Sequence, residues 1–238
     1  MSRDLKSKPW LQRTFERAVA VVRSQPGGLA DAEKPLRIGL KVAEAAHGPN
    51  HPAVARCLSN LASALKDAKR LEEAEQLLRR ALEIDAAAPD HNYPDVVVHI
   101  NNLAKLLRVT RREQEAEQLM RRALELDETH RGAEHPDVAD NLNNLGQLLK
   151  SAKRFTEAEP LMRRALRIDE KALGASHMNV ARDLHNLAGL LHATNRSLEA
   201  EPLLRRCVEI LKQDPSHALL GQAKANLETL QQKLLKAP

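Results

Sequence analysis

Histidine is the residue type in this chain that most readily suggests chemistry, because imidazole binds metals and transfers protons near neutral pH. The 238-residue sequence contains ten histidines. His47 and His51 lie four residues apart and His130 and His135 lie five apart, but neither pair has a third ligand at a spacing typical of zinc sites. These two pairs therefore do not predict a metal centre.

A third histidine pair has the spacing of a helix face. His185 and His192 lie seven residues apart, beside Asp183, and no serine or cysteine nucleophile is nearby. The sequence also contains no glycine-rich phosphate loop and no paired-cysteine zinc motif. We therefore predict a protein that is not an enzyme and that needs no metal or cofactor.

Asparagine is the second residue type with a suggestive spacing. Four asparagines lie 42 residues apart, each directly before a leucine: Asn60, Asn102, Asn144 and Asn186. A carboxamide both donates and accepts, so a row of them could pair with the N–H and C=O groups of an extended peptide whatever its side chains. Alternatively, each amide could bond to a neighbouring helix. Both interpretations account for the recurrence.

The interval of 42 residues extends well beyond the asparagines. It also links two sets of small residues, Ala74, Ala116, Ala158 and Ala200, and Ala81, Ala123, Ala165 and Cys207. A fixed period of this kind indicates stacked supersecondary units that cannot bury their apolar faces alone. The function of such a protein is expected to depend on a surface and not on a single pocket.

Each period contains two predicted helices. Val138, Leu142, Leu145 and Leu149 are spaced four, three and four apart, which places them on one stripe of an α-helix. This first helix, named helix A, opens after Pro136, a residue suited to a first helical turn. A second helix, named helix B, follows a short polar turn and must run antiparallel to helix A.

Recurring residues also mark the helix ends. Glycines just past helix B, at Gly48, Gly132 and Gly174, are predicted to cap it in a left-handed conformation, and Asp90 takes that place in one repeat. Histidines just before helix A are predicted to act at the helix start: His51, His135 and His177.

The pattern resembles the tetratricopeptide repeat, specifically its long 42-residue form found in kinesin light chains. The resemblance depends on three segments: HPDVA from His135, LNNLGQLL from Leu142 and EAEPLMRRAL from Glu157. HEAT and armadillo repeats have similar lengths, but the small residue after the leucine of helix A and the paired alanines of helix B favour the tetratricopeptide repeat. The resemblance covers residues 10–212.

The resemblance implies an all-α, right-handed superhelical solenoid. Five antiparallel helix pairs are predicted at about 9–48, 52–90, 94–132, 136–174 and 178–213, with a flexible tail at 1–8 and a capping helix at 216–235. A solenoid needs a terminal unit with a polar outer face, and residues 216–235 provide one.

In tetratricopeptide domains the exposed side of helix A lines a concave peptide-binding groove. On this resemblance, the four asparagines are joined in the groove by basic residues and histidines: Arg56, Lys66, Lys105, Arg108, Lys150, Arg182, His185 and His192. Asp140 is the only acidic residue at these groove positions. The expected ligand is therefore an extended, acidic segment of a partner protein.

Two groups of tetratricopeptide proteins that bind acidic segments suggest how such a ligand could be recognised. Kinesin light chains are similar in recognising cargo segments with acidic residues around a tryptophan. Carboxylate-clamp tetratricopeptide domains hold an acidic C-terminus, but their clamp needs a basic residue at the asparagine position of one repeat. Because that position stays asparagine here, the clamp is the second interpretation.

Glutamate and arginine pairs on helix B have a simpler interpretation. Glu75 and Arg79 lie four residues apart, and the same pair recurs in the later repeats. Pairs at this spacing stabilise a helix by about 0.2–0.5 kcal/mol. We interpret them as solvated and assign them no binding role.

The composition of the chain indicates the cellular compartment in which we expect the protein. The chain has 37 basic and 32 acidic residues, only 2% aromatic residues, and two cysteines, Cys57 and Cys207, in distant repeats. Unpaired cysteines favour a reducing compartment. The start of the chain lacks an apolar secretion signal, and no segment approaches the length of a membrane span. We therefore expect a soluble cytoplasmic protein with no membrane association.

Two other classes of function are considered. The apolar residues Trp10, Leu11 and Phe15, or the C-terminal helix, could stack on another copy in a self-assembly module. The sequence pI of about 9.3 suggests nucleic-acid binding, but single-strand binders combine basic grooves with aromatic platforms, and the few aromatic residues here are scattered.

Overall fold

The computed structural model describes residues 30–87 and 93–235, and these residues form helices joined by short turns. Ten helices follow one another in them: α1 (Ala30–His47), α2 (Pro52–Asp67), α3 (Leu71–Ala87), α4 (Tyr93–Val109), α5 (Glu113–Arg131), α6 (Pro136–Ser151), α7 (Phe155–Leu173), α8 (Met178–Ala193), α9 (Ser197–Leu211) and α10 (Leu219–Leu235). The predicted all-α class is confirmed. The predicted first A helix and the tail lie outside the described residues.

The even-numbered helices α2 to α8 are the predicted A helices, the odd-numbered helices are B helices, and α10 is the predicted cap. The chain divides into two compact units, Met1–Leu119 and Met120–Pro238. In the first unit, α2 packs on α1 and α3, and α4 packs on α3. In the second unit, α6 packs on α7, α8 packs on α7 and α9, and α10 packs on α9. Each unit therefore consists of the same kind of helix pair.

The predicted stripe of helix A forms the core of each pair. In α6, Val138 and Leu142 are fully buried and pack with Ala165 and Ile168 of α7, and Leu149 is 1% exposed. At Gly146, a β-carbon would lie 2.8 Å from Cγ of Met162 on helix B. The small residue that follows the repeated leucine therefore lets the two helices approach closely, as predicted.

The outer faces of the helices are mostly polar. Large apolar residues exposed at the surface include Ile38, Val98, Val109, Leu198 and Leu235, which belong to several different helices. Within the described part of the chain, no helix is both long enough and apolar enough to cross a lipid bilayer.

Each turn from helix A to helix B contains one residue with a positive φ angle. These residues lie 42 apart, at φ between 60° and 65°: Lys69, Arg111, Lys153 and Asn195. The residue after each one donates its backbone N–H five residues back, as Arg154 does to the Leu149 carbonyl at 2.9 Å. This is the Schellman arrangement, which satisfies a carbonyl at the helix end. Glycine is the residue that adopts it without strain.

The predicted glycine caps are present, with one difference. Gly48, Gly132 and Gly174 have φ between 86° and 90°, so positive φ is confirmed. At Gly174, however, ψ is 153°, which is an extended mirror region that is essentially restricted to glycine and not the left-handed helical one. The substitute Asp90 lies outside the described residues.

The predicted role of histidine at the start of helix A is confirmed. The backbone N–H two residues later donates to Nδ1 of His51, His135 and His177 at 3.1 to 3.2 Å, and His217 does the same before α10 at 3.2 Å. An accepting Nδ1 carries no proton, so this bond requires the neutral imidazole. These histidines are helix caps.

Glutamate and arginine on helix B connect neighbouring repeats. Glu159 accepts from Arg163 on its own helix at 2.9 Å and from Arg196, at the start of α9, at 2.6 Å, and Arg196 also pairs with Glu199. Equivalent sets recur earlier, as Glu75, Arg79, Arg112 and Glu115, and as Glu33, Arg37, Arg70 and Glu73. The predicted pairs within one helix are therefore parts of larger sets that join successive B helices.

Both cysteines are free and buried, at 3% exposure for Cys57 and 0% for Cys207. Burial raises the pKa of each thiol to about 11. The predicted unpaired thiols are thus present, and they act as small apolar packing residues.

The strained turn residues lead to a prediction about stability. Lys153→Gly should raise the free energy of unfolding by about 1 kcal/mol, because glycine removes the β-carbon that is strained at positive φ. Urea denaturation followed by circular dichroism measures this change. Lys153→Ala is the matched control, since it removes the side chain but keeps the β-carbon and should bring no gain. Equal gains in both variants would show that the lysine side chain, not the backbone, is responsible.

The inter-repeat ion pairs lead to a second prediction. Glu159→Gln should lower the free energy of unfolding by about 1 kcal/mol, because both arginines lose the negative charge that they share and one of the two accepting oxygens becomes a donor. The loss should shrink in high salt, which screens exposed charges. Glu125→Gln, an exposed residue of α5 with no ion pair in the described part of the chain, is the control and should leave stability nearly unchanged. Equal losses in the two variants would contradict the role given to Glu159.

Candidate functional site

The predicted site residues lie on the A helices α2, α4, α6 and α8, and each of them is exposed or half-buried. We name this set the A-helix face. It consists of Asn60, Asn102, Asn144, Asn186, Arg56, Lys66, Lys105, Arg108, Lys150, Arg182, His185 and His192. In the first unit α2 contacts α4, and in the second unit α6 contacts α8. Successive A helices thus lie side by side within each unit.

Hydrogen bonds between A helices involve two of the predicted asparagines. The Asn102 amide donates to the Ser59 hydroxyl on α2 at 2.9 Å, and the Asn186 amide donates to Oδ1 of Asn143 on α6 at 3.4 Å. These bonds match the second of the two predicted roles. Because an amide has two N–H groups and an accepting oxygen, one such bond leaves further capacity for a ligand.

The other two asparagines are placed differently. Asn60 is exposed on α2, and Asn144 is half-buried on α6. An asparagine of the capping helix also contacts the neighbouring A helix, since the Asn226 amide lies 3.0 Å from Nε2 of His185 on α8. In the second unit, the amides of the A helices are therefore followed by an amide on α10.

In the first unit, the cations of the A-helix face remain largely solvated. Arg56 lies 3.7 Å from Asp95, and Lys66 lies 3.7 Å from its neighbour Asp67, distances that correspond to weak ion pairs. Arg108 is exposed and forms no ion pair within residues 30–87 and 93–235. Lys105 is half-buried on the same helix. This part of the face is positively charged and accessible.

In the second unit, Lys150 is the cation best placed to bind an anion. It is half-buried, and a β-carbon built on Gly189 of α8 would lie 2.7 Å from its Nζ. The missing side chain at Gly189 therefore leaves room for the ammonium group. Desolvation lowers the pKa of Lys150, and no acidic side chain in the described residues pairs with it.

The two predicted histidines of the face make structural contacts. His185 contacts Asn226 as described above, and burial together with the nearby Lys150 charge lowers its pKa. Nδ1 of His192 lies 3.4 Å from the Ser197 hydroxyl. The described residues contain no group of three or more His, Cys, Asp or Glu side chains that could hold a metal ion.

Arg182 differs from the other cations because carboxylates already surround it. Its guanidinium lies 2.7 Å from Asp140, 3.1 Å from Asp183 and 3.4 Å from Asp169. Both Asp169 and Asp183 are fully buried. The positive charge of Arg182 is therefore used within the fold, although its sequence position suggests a free groove cation.

Buried polar pairs that were not predicted from the sequence lie between helix B of one repeat and helix A of the next. The Asp85 carboxylate lies 2.7 Å from Nδ1 of His99, and Asp127 accepts from the Asn141 amide at 2.6 Å. Both pairs are at most 5% exposed. Asp169 and Asp183 occupy the equivalent positions 42 residues later. The recurrence of aspartate at 85, 127 and 169 was the available signal.

Comparison with known structures supports the fold. BtubC (BKLC) from P. vanneervenii has a TM-score of 0.69 at 21% identity, over 94% of this chain and 84% of that one. A putative kinesin light chain of Podosopora anserina with nearly identical TPR-like repeats has 0.70 at 22%, over 87% and 98%. Aspartyl phosphate phosphatase F from Bacillus subtilis has 0.73 at 12%, over 90% and 54%. At these identities the likeness shows the fold alone.

Sequence comparison identifies the repeat itself. No curated protein sequence matches the chain significantly. A family model described as tetratricopeptide repeat matches residues 13–87, 95–171 and 143–213, which together make up most of the chain. The first match also covers much of the N-terminal pair predicted from the sequence. The chain therefore belongs to the tetratricopeptide repeat family.

Proposed function

We propose that this protein is a non-enzymatic scaffold that binds an extended, acidic segment of a partner protein along its A-helix face. Protein–protein interaction is the function that the tetratricopeptide fold supports. Because the same fold serves many partners, the kind of segment has to be argued from the side chains of this chain.

The observation that carries the proposal is the environment of Lys150. A half-buried ammonium group without an acidic partner is unfavourable, as the lowered pKa of this lysine indicates. A carboxylate from a ligand would supply the missing charge in a site that already excludes part of the solvent. Such a partly desolvated pair gains more than an exposed one, since screening by water is weaker.

The remaining side chains of the face support an acidic and extended ligand. Arg108 and Arg56 offer accessible positive charge in the first unit, while the charge of Arg182 is already neutralised. The amides of Asn60 and Asn144, which form no side-chain hydrogen bond within residues 30–87 and 93–235, can pair with a peptide backbone. Cations supply preference for acidic side chains, and amides supply affinity that is independent of sequence.

The side chains that could support catalysis have other roles. The thiols of Cys57 and Cys207 are buried with raised pKa values, and His185 and His192 contact an asparagine and a serine. This supports a binding function. The free thiols also support the proposal that the protein works in the reducing cytoplasm.

Binding of synthetic peptides tests the proposal. Short fluorescent peptides rich in Asp and Glu should bind, and the same peptides with Asn and Gln in place of the acids should not. Lys150→Gln should weaken binding of the acidic peptides by about tenfold or more, as expected for loss of a partly buried charge pair. The affinity should also fall as salt is added. Fluorescence anisotropy measures each of these affinities.

The matched control is Lys153→Gln, which makes the same change in charge three residues away, on the turn between α6 and α7. Its affinity should equal that of the unchanged protein. Lys150→Gln should not reduce stability, because it removes an unfavourable charge, so lost binding will not reflect lost folding. An equal loss in both variants, binding to the neutral peptides, or binding only to nucleic acid or to another copy would contradict the proposal.

A further inference from the structure

The junction between α7 and α8 contains two buried carboxyl groups that share one arginine. Asp169 on α7 and Asp183 on α8 are both 0% exposed, and the Arg182 guanidinium donates to both of them. Two ionised carboxylates held around one guanidinium repel each other strongly in an environment shielded from water. A positive side chain or a bound proton at this junction must therefore reduce the combined negative charge of Asp169 and Asp183.

Neighbouring side chains compensate only part of this charge. Arg182 Nε donates to Oδ1 of Asp183 at 3.1 Å, its Nη2 donates to Asp169 at 3.4 Å, and Asn143 also donates to Oδ1 of Asp183. Oδ1 of Asp169 and Oδ2 of Asp183 accept no hydrogen bond from the described residues. The single guanidinium, which also lies 2.7 Å from Asp140, balances at most one of the two buried carboxylates, and two buried oxygen atoms are left without a donor.

The equivalent junctions indicate what is missing. At two of them the aspartate of helix B contacts a residue of helix A that can donate a hydrogen bond: His99 at Asp85, and Asn141 at Asp127. At the third junction the helix A residue is Asp183, which can donate only when its carboxyl group is protonated. A proton therefore completes the same contact there.

We propose that Asp169 and Asp183 share one proton, and that this proton makes the packing of α8 on α7 a pH-sensitive joint that weakens from mildly acidic to neutral solution. With one proton bound, Arg182 balances the remaining charge and the two carboxyl groups form a hydrogen bond. Without it, the two carboxylates repel each other inside the junction. The other groups around the pair are Asp140 of α6, which contacts Arg182, and the neutral amides of Asn143 and Asn179.

The direction of the effect follows from proton linkage. Burial raises the pKa of Asp183 from 3.8 to about 7, and burial also raises that of Asp169. At a pH between 3.8 and about 7, Asp183 of the folded protein keeps a proton that the unfolded chain has released. The unfolding equilibrium constant should therefore increase with pH in this range, by up to about tenfold per pH unit, and level off above the folded value.

Asp183→Asn tests the proposal, because it copies the natural pair of Asp127 and Asn141. The new amide can donate to Asp169, while its oxygen keeps the bonds from Asn143 and Arg182. Urea denaturation between pH 5 and 8 should show that the unfolding constant of the unchanged protein, relative to that of the variant, rises toward pH 7 and then levels off. A constant ratio at every pH would overturn the proposal.

The reciprocal variant, Asn141→Asp, provides a second test that does not depend on whether Asp183→Asn folds. It places two carboxyl groups at the α5 to α6 junction, where Arg131 lies 3.4 Å from Asp127, so it should gain the pH dependence that Asp183→Asn loses. Hydrogen exchange should locate the change at α7 and α8 for Asp183→Asn and at α5 and α6 for Asn141→Asp. Unchanged pH dependence in Asn141→Asp would also contradict the proposal.

Discussion

The contact between helix B of one repeat and helix A of the next is the constraint on which each of the two compact units depends. Each helix pair buries its own apolar stripe, but a repeat cannot exist without the neighbour that covers its remaining face. In the first unit, Ala43 and Cys57 fill the contact between α1 and α2 with apolar side chains. At the next three junctions the equivalent positions hold polar residues, such as Asp85 with His99. A buried polar pair needs a matching donor and acceptor, so these junctions favour one alignment of the helices.

The charged side chains of the two helix types are used in different ways. On the B helices, arginines such as Arg79 and Arg163 are paired with glutamates of their own and neighbouring repeats. On the A helices, Arg108 and Lys150 have no such acidic partner within the described residues. The first arrangement connects repeats to each other. The second leaves positive charge available to a ligand, which is why the proposed function lies on the A helices.

The fold could be predicted from the sequence because its determinants are local and repeat. The stripe from Val138 to Leu149 defines helix A, and glycine at position 174 and histidine at 135 mark helix ends through contacts with nearby backbone. These features need no knowledge of distant residues. The positive φ of Lys153 was less visible, because lysine gives no compositional sign of that conformation.

The candidate site could be predicted only as a set of positions. Helix periodicity places Arg182 on the exposed side of helix A, but carboxylates surround its charge, among them Asp169 on the preceding helix. That contact joins two different helices. Asp169 is also buried, at a position where the repeat would be expected to place an apolar residue. The surroundings of Lys150 could not be predicted for a similar reason, since the space that its ammonium group occupies depends on Gly189 of the next A helix. Sequence periodicity gives the face of a helix, whereas the state of each charge depends on its neighbours in space.

The most direct test of the central claim is a map of the surface that contacts an acidic peptide. Backbone amide resonances of the ¹⁵N-labelled protein would be assigned and followed by NMR during titration with the peptide. We expect the largest shift changes in α2, α4, α6 and α8, concentrated around Lys150 and the asparagines of the A-helix face. Changes confined to the B helices or to α10, or no change at saturating peptide, would contradict the claim that the A helices form the binding surface.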